Sequence, residues 1–174
     1  MSKALAIDTS TSRSCVAIIE GTNVLYSGFR DGATAHGPSL PALVQEALAV
    51  SDVDEVVVGM GPGPFTGLRV GIAFAQSFGF ARGISVRGVC SLDAIAAQVT
   101  EDDFIITVDA RRKEVYWARY TNGVRAAGPA VNFPADVSGA KIYADLFPDM
   151  VSLANLPGDV REPIYLRRPD AVAT

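Results

Sequence analysis

The chain carries one histidine, two cysteines and one tryptophan among 174 residues, and each scarcity closes off some chemistry. With His36 alone there is no two-histidine metal pair, and any nucleophile–histidine pair must use this one ring. Cys15 and Cys90 cannot build a zinc cluster between them, and nothing around them suggests a secreted disulfide scaffold. Both stand in apolar sequence and read as small core residues. No stretch approaches the run of about 20 apolar residues that crosses a bilayer. A secretory leader needs a longer apolar region than the one that Asp8 interrupts, so the expectation is a cytoplasmic chain without a membrane span. Positive charge is also short: 15 basic residues against 19 acidic give a net charge of −4. A dedicated nucleic-acid binder would carry an overall basic footprint.

What the sequence does have is core material. Hydrophobic residues make up 49% and charged residues 20%, which excludes wholesale disorder. At about 150 residues per domain, the length fits one domain or two small lobes.

Residues 3–8, 14–20 and 23–30 read as short strands, the last two joined as a hairpin through Gly21-Thr22. Residues 32–41 read as a Gly/Pro loop, with His36 as a polar loop residue. The spacing of Leu40, Leu43, Val44 and Ala47 predicts a helix over 39–50. A buried strand at 55–59 leads into Gly59-Met-Gly-Pro-Gly-Pro-Phe-Thr-Gly67, and a helix follows to Phe80. A strand at 86–89 and a helix at 91–98, capped by Ser91, end the first half. Strands at 104–109 and 115–120 then flank a basic turn, Arg111-Arg112-Lys113. Beyond Asn122-Gly123 the pattern weakens. This order predicts an α/β fold of the actin-like, ribonuclease-H-like (ASKHA) kind, a mixed sheet with flanking helices. Residues 1–100 form its N-terminal lobe, and 101–174 an abbreviated second lobe with a C-terminal tail.

Three constellations invite a chemical reading. Asp8, Thr9 and Ser10 end the first strand and resemble an acidic, hydroxyl-rich phosphate loop, a candidate nucleotide contact. The alternative is an Asx-type turn, which the absence of glycine from the loop favours. The glycine-rich segment 59–67 fits neither a Walker loop nor G-x-G-x-x-G, so it reads as a rigid turn that aims the next helix. On that helix Gly67, Gly71, Ala75 and Gly79 recur every four residues and form a smooth face. Such a face suits close helix approach, either onto the chain's own sheet or at a subunit interface. Arg111, Arg112 and Lys113 form a solvated face or a contact for RNA or an acidic partner.

Several blocks also carry a resemblance: Ala-Ile-Asp8-Thr-Ser-Thr, Gly61-Pro-Gly-Pro-Phe-Thr-Gly-Leu-Arg-Val-Gly71, Gly88-Val-Cys-Ser-Leu-Asp93, Asp109-Ala-Arg-Arg-Lys-Glu-Val-Tyr-Trp117 and Pro163-Ile-Tyr-Leu-Arg167. Together, and in this order, they resemble the TsaB (YeaZ) family of the bacterial tRNA threonylcarbamoyladenosine machinery. The resemblance implies an actin-like fold and a non-catalytic helper role. Catalysis would lie in a TsaD-type partner, which carries a metal-binding histidine pair and modifies the adenosine beside the anticodon. It further implies a TsaE-type ATPase in the complex, a homodimer when the chain is alone, and tRNA contact only through the complex. No metal or cofactor is implied for this chain, with ATP entering at the complex level. The pairing surface would come from the first two long helices, here through Leu40, Leu43, Val44 and Ala47 together with the Gly67–Gly79 face. Two features depart from the family: Pro64 replaces a usual serine, and the stretch 132–163 is short.

Overall fold

The computed structural model describes residues 1–167. Three antiparallel strands open it, β1 (Lys3–Asp8), β2 (Arg13–Glu20) and β3 (Asn23–Asp31). Helix α1 (His36–Leu48) crosses to β4 (Glu55–Gly59), and α2 (Phe65–Arg82) crosses to β5 (Ser85–Val89). Both β4 and β5 run parallel in the sheet, whose order is β3-β2-β1-β4-β5. This is the ribonuclease-H-like arrangement that the element order predicts.

Side-chain alternation decides what covers each face of the sheet. Leu5, Ile7, Val16, Ile18, Val56 and Val58 point to one side and form the large core beneath α1 and α2. Ala4, Ala6, Ala17 and Val57 point to the other, and their smaller volume lets a short helix, α4 (Met150–Asn155), lie close. That helix belongs to the C-terminal stretch yet packs on the first sheet. The stretch stays there: Val160 and Ile164 donate backbone hydrogen bonds to Gly88 and Met60. Residue 100 falls between the two sheets, and the C-terminal stretch returns to the first. Residues 168–174 of the expected tail lie outside the described residues.

Helix α3 (Ser91–Ala96) joins the lobes and packs its Leu92 and Ile95 with Phe104, Ile106 and Ala118. The second sheet contains β6 (Asp103–Asp109), β7 (Val115–Thr121), β8 (Val124–Asn132) and β9 (Lys141–Tyr143), in the order β8-β7-β6-β9. Its pairing repeats β3-β2-β1-β4: an antiparallel meander, then a fourth strand parallel to the first. Where α1 joins the third and fourth strands of the first lobe, the second has a single 3₁₀ turn, Pro134–Asp136. The second lobe is abbreviated at that crossover.

Candidate functional site

At the end of β1 the chain turns sharply, and Asp8 is fully buried there. Its Oδ1 accepts hydrogen bonds from the Ser10 backbone N–H (2.8 Å) and the Ser10 hydroxyl (2.7 Å). Its Oδ2 accepts from the Ser91 hydroxyl at 2.6 Å. Burial pushes the carboxyl above its ordinary value, and the serine hydrogen bonds only partly oppose that. Ser91, expected to cap α3, thus spends its hydroxyl on Asp8. The glycine segment closes over this loop. A Cβ at Gly59 would stand 1.8 Å from Asp8 Oδ2, and one at Gly63 would stand 2.6 Å from the Ser10 carbonyl oxygen.

Thr9 makes an insertion that no sequence pattern announces. Its Oγ1 donates to the Gly67 carbonyl at 2.8 Å and accepts from the Gly71 N–H at 3.0 Å. Within an α-helix those two backbone groups would pair with each other, so the threonine hydroxyl is wedged into the ladder of α2. A Cβ at Gly71 would meet that hydroxyl at 2.4 Å, which is why a glycine stands there.

These contacts show where the residues of two expectations lie in the isolated chain. Asp8, Thr9 and Ser10 are not presented to a nucleotide: they are buried, and their polar side-chain atoms are used internally. The residues expected at the pairing surface of α1 and α2 lie on the inward sides of those helices. Leu40, Leu43, Val44 and Ala47 are buried in the chain's own core with Leu5 and Ile7. Gly67 packs on the His36 ring and the Thr9 carbonyl, Gly71 on the Thr9 side chain, Ala75 lies in the same core, and Gly79 packs on Val86. Four-residue spacing of small side chains marks a close approach, and here the partner is the chain's own first sheet and the Asp8 loop.

His36 also departs from its expected place in a loop, as the first residue of α1. Proline is tolerated in the first turn of a helix, so Gly37-Pro38 does not prevent helix formation there. The ring is buried, and a 2.7 Å hydrogen bond joins His36 Nδ1 and Ser14 Oγ. Burial lowers its pKa, against smaller opposing effects from Asp8 and the Thr11 backbone. Cys15 and Cys90 are free and buried, and burial pushes the Cys15 thiol up to about 12.

The basic turn is built differently. Arg111, Arg112 and Lys113 follow one another at φ 60°, 53° and 63°, three consecutive left-handed residues without a glycine. Left-handed backbone costs roughly 1–2 kcal/mol per L-residue. The turn is held at its base: Ala110 N–H donates to the Glu114 carbonyl (2.9 Å), and Arg111 N–H donates to Asp109 Oδ1 (2.9 Å). Arg111 and Arg112 line a 740 Å³ cleft between the lobes, and Lys113 does not. Its other walls are the starts of α1 and α2, Tyr116, and Arg167 from the C-terminal stretch. Arg167, which pairs with Glu114, is a site residue that sequence reading did not single out.

The model of the family described as TsaD, tRNA N6-adenosine threonylcarbamoyltransferase, matches residues 31–165. The tRNA threonylcarbamoyladenosine biosynthesis protein TsaB of Escherichia coli is 31% identical, over 67% of this chain and 54% of that protein. The chain belongs to the TsaB/YeaZ family. An uncharacterized protein of Mycobacterium tuberculosis is 46% identical over 98% of this chain and 94% of its own. Among solved structures, YeaZ from Pseudomonas aeruginosa superposes with a TM-score of 0.74 at 27% identity, covering 88% of this chain and 89% of that one. The two share the TsaB/YeaZ fold. Among the described residues no helix is long and apolar enough to cross a membrane.

Proposed function

We propose that the chain is a subunit of tRNA threonylcarbamoyladenosine biosynthesis, and that it acts as scaffold and activator for a TsaD-type catalytic subunit. The observation that carries this reading beyond family membership is the closed Asp8 loop. Both carboxylate oxygens accept hydrogen bonds inside the chain, and the hydroxyls of Thr9 and Ser10 donate their protons there, so the loop is engaged internally and buried. The only histidine is buried against Ser14. A small kinase or ATPase of the actin-like superfamily would need that loop open.

In this reading the partner docks on the outward faces of α1 and α2, where Pro41, Ala42 and Ala73 are exposed beside half-buried Val70 and Phe74. The same surface makes a homodimer when the chain is alone. ATP is handled by a TsaE-type ATPase, tRNA is met only through the complex, and this chain requires no cofactor. The setting is the cytoplasm.

Reconstitution with the host's TsaD-type and TsaE-type subunits tests it. Modified adenosine should form only when this chain is added, and the chain alone should neither hydrolyse ATP appreciably nor transfer a carbamoyl group. Steady ATP turnover by the pure chain, abolished by Asp8→Ala, would contradict the proposal.

A further inference from the structure

Residues 144–149 join β9 of the second sheet to α4 on the first, so this segment crosses from one lobe to the other. Consecutive side chains divide between the lobes. Leu146 packs with the cluster that α3 shares with the second sheet. Phe147 turns to the first lobe, where it lies against Arg13 of β2. The Arg13 guanidinium lies over two rings, 3.9 Å from the centroid of Phe147 and 3.9 Å from that of Phe29 on β3. Asp31 orients it, accepting from Nε at 2.8 Å and from Nη2 at 3.4 Å. A planar guanidinium can stack on aromatic faces while its edge donates to a carboxylate, which an ammonium cannot do. Gln98 adds one hydrogen bond, its Nε2 donating to the Phe147 carbonyl at 2.7 Å.

The same segment is a partition. Asp145, Leu146 and Phe147 line a 120 Å³ cavity between the lobes, beside Thr11, His36 and Asp109. They also line a 390 Å³ cavity on the first sheet, which includes Cys15, Ala17 and Phe29. We propose that residues 145–147 form a latch between the lobes, with Arg13 as its catch: when the guanidinium leaves the Phe147 ring, the segment lifts and the two cavities join. The latch is a property of the isolated chain, so its failure would leave the helper role untouched.

Cys15 reports the open state, because it is buried in the cavity behind the segment. Cys90, buried in a different cavity with Tyr120 and Arg125, is the internal control. The test labels the isolated chain with iodoacetamide, read at each cysteine by mass spectrometry. Native-state cleavage by thermolysin before Leu146 or Phe147 gives a second measure of opening. Arg13→Met keeps an apolar stem against the rings and removes the charge, and Phe147→Leu removes the ring from the other side. Each should speed both the labelling of Cys15 and the cleavage roughly tenfold, with Cys90 at its wild-type rate. Wild-type rates in both variants would overturn the proposal. An acceleration shared equally by Cys90 would overturn it too, because that is global unfolding rather than the lifting of one segment.

Discussion

The two lobes begin with the same pattern: an antiparallel meander whose first strand ends in an aspartate, with a fourth strand parallel to the first. They spend that aspartate differently. In the first lobe, α2 and the glycine segment close over the Asp8 loop, and its hydroxyls join the core hydrogen-bond network. In the second lobe no long helix crosses between the third and fourth strands, and Asp109 stays exposed at the base of an arginine turn. Covering helices convert a loop at a strand end from a surface that can meet a ligand into a structural joint. Where they are missing, the equivalent loop stays at the surface.

Substitutions at the two loops should therefore have unequal, and in one case opposite, effects. The largest loss is expected from Gly59→Ala, whose methyl would collide with Asp8 Oδ2. Overpacking of this kind costs about 3 kcal/mol, which chemical denaturation reads directly; Gly37→Ala on the open side of α1 should cost nothing. Asp8→Ala should follow at about 1–3 kcal/mol, because the Ser10 and Ser91 donors are left buried without an acceptor. Asp109→Ala, losing one exposed acceptor, should cost under about 1 kcal/mol. Comparable losses at Asp8 and Asp109 would break the comparison.

A pH effect comes next. The folded-state pKa of His36 is lowered by burial, so the unfolded chain binds its proton more readily. Stability carried by the neutral ring is present above the unfolded value of about 6.5 and is lost as the pH falls through that value toward the folded pKa. It is the only histidine, so His36→Gln should remove the loss of stability on acidification that the ring carries below about pH 7, leaving the opposite contribution of buried Asp8, whose pKa is raised. Wild-type slope in that variant would contradict the buried-ring account. The smallest effect has the opposite sign. Lys113→Gly relieves one left-handed residue of the arginine turn and should raise stability by roughly 0.5–1 kcal/mol, seen as a higher denaturation midpoint.

Strand and helix periods carried most of the first lobe, because its inner strands β1, β2 and β4 are buried on both faces and α1 has a continuous apolar stripe. The second half was harder to read for definite reasons. Strand β8 is an edge strand of small residues containing Pro129, so it has little apolar alternation. Its turn, Asn122-Gly123, has positive φ at both residues and was the available signal. Helix α4 had one as well, the Asp149 side chain accepting from the Ser152 N–H. At the site, the glycine spacing on α2 showed a close approach but not its partner. Sequence periodicity is the same whether a smooth face meets another subunit or the chain's own Thr9. The Thr9 wedge and the Asp8–Ser91 contact join residues 62 and 83 positions apart, which local pattern does not report.

The central claim is that α1 and α2 turn their inner faces to the core and offer their outer faces to a partner. Titrating the TsaD-type subunit with Ala73→Trp, alongside thermal melts, tests it most directly. Ala73 is exposed on α2, whereas Ala75, two residues on, is buried. The account predicts an unchanged melting temperature for Ala73→Trp with a roughly 5- to 150-fold loss of affinity, from about 1–3 kcal/mol of overpacking at the contact. Wild-type affinity in the folded Ala73→Trp variant would contradict it.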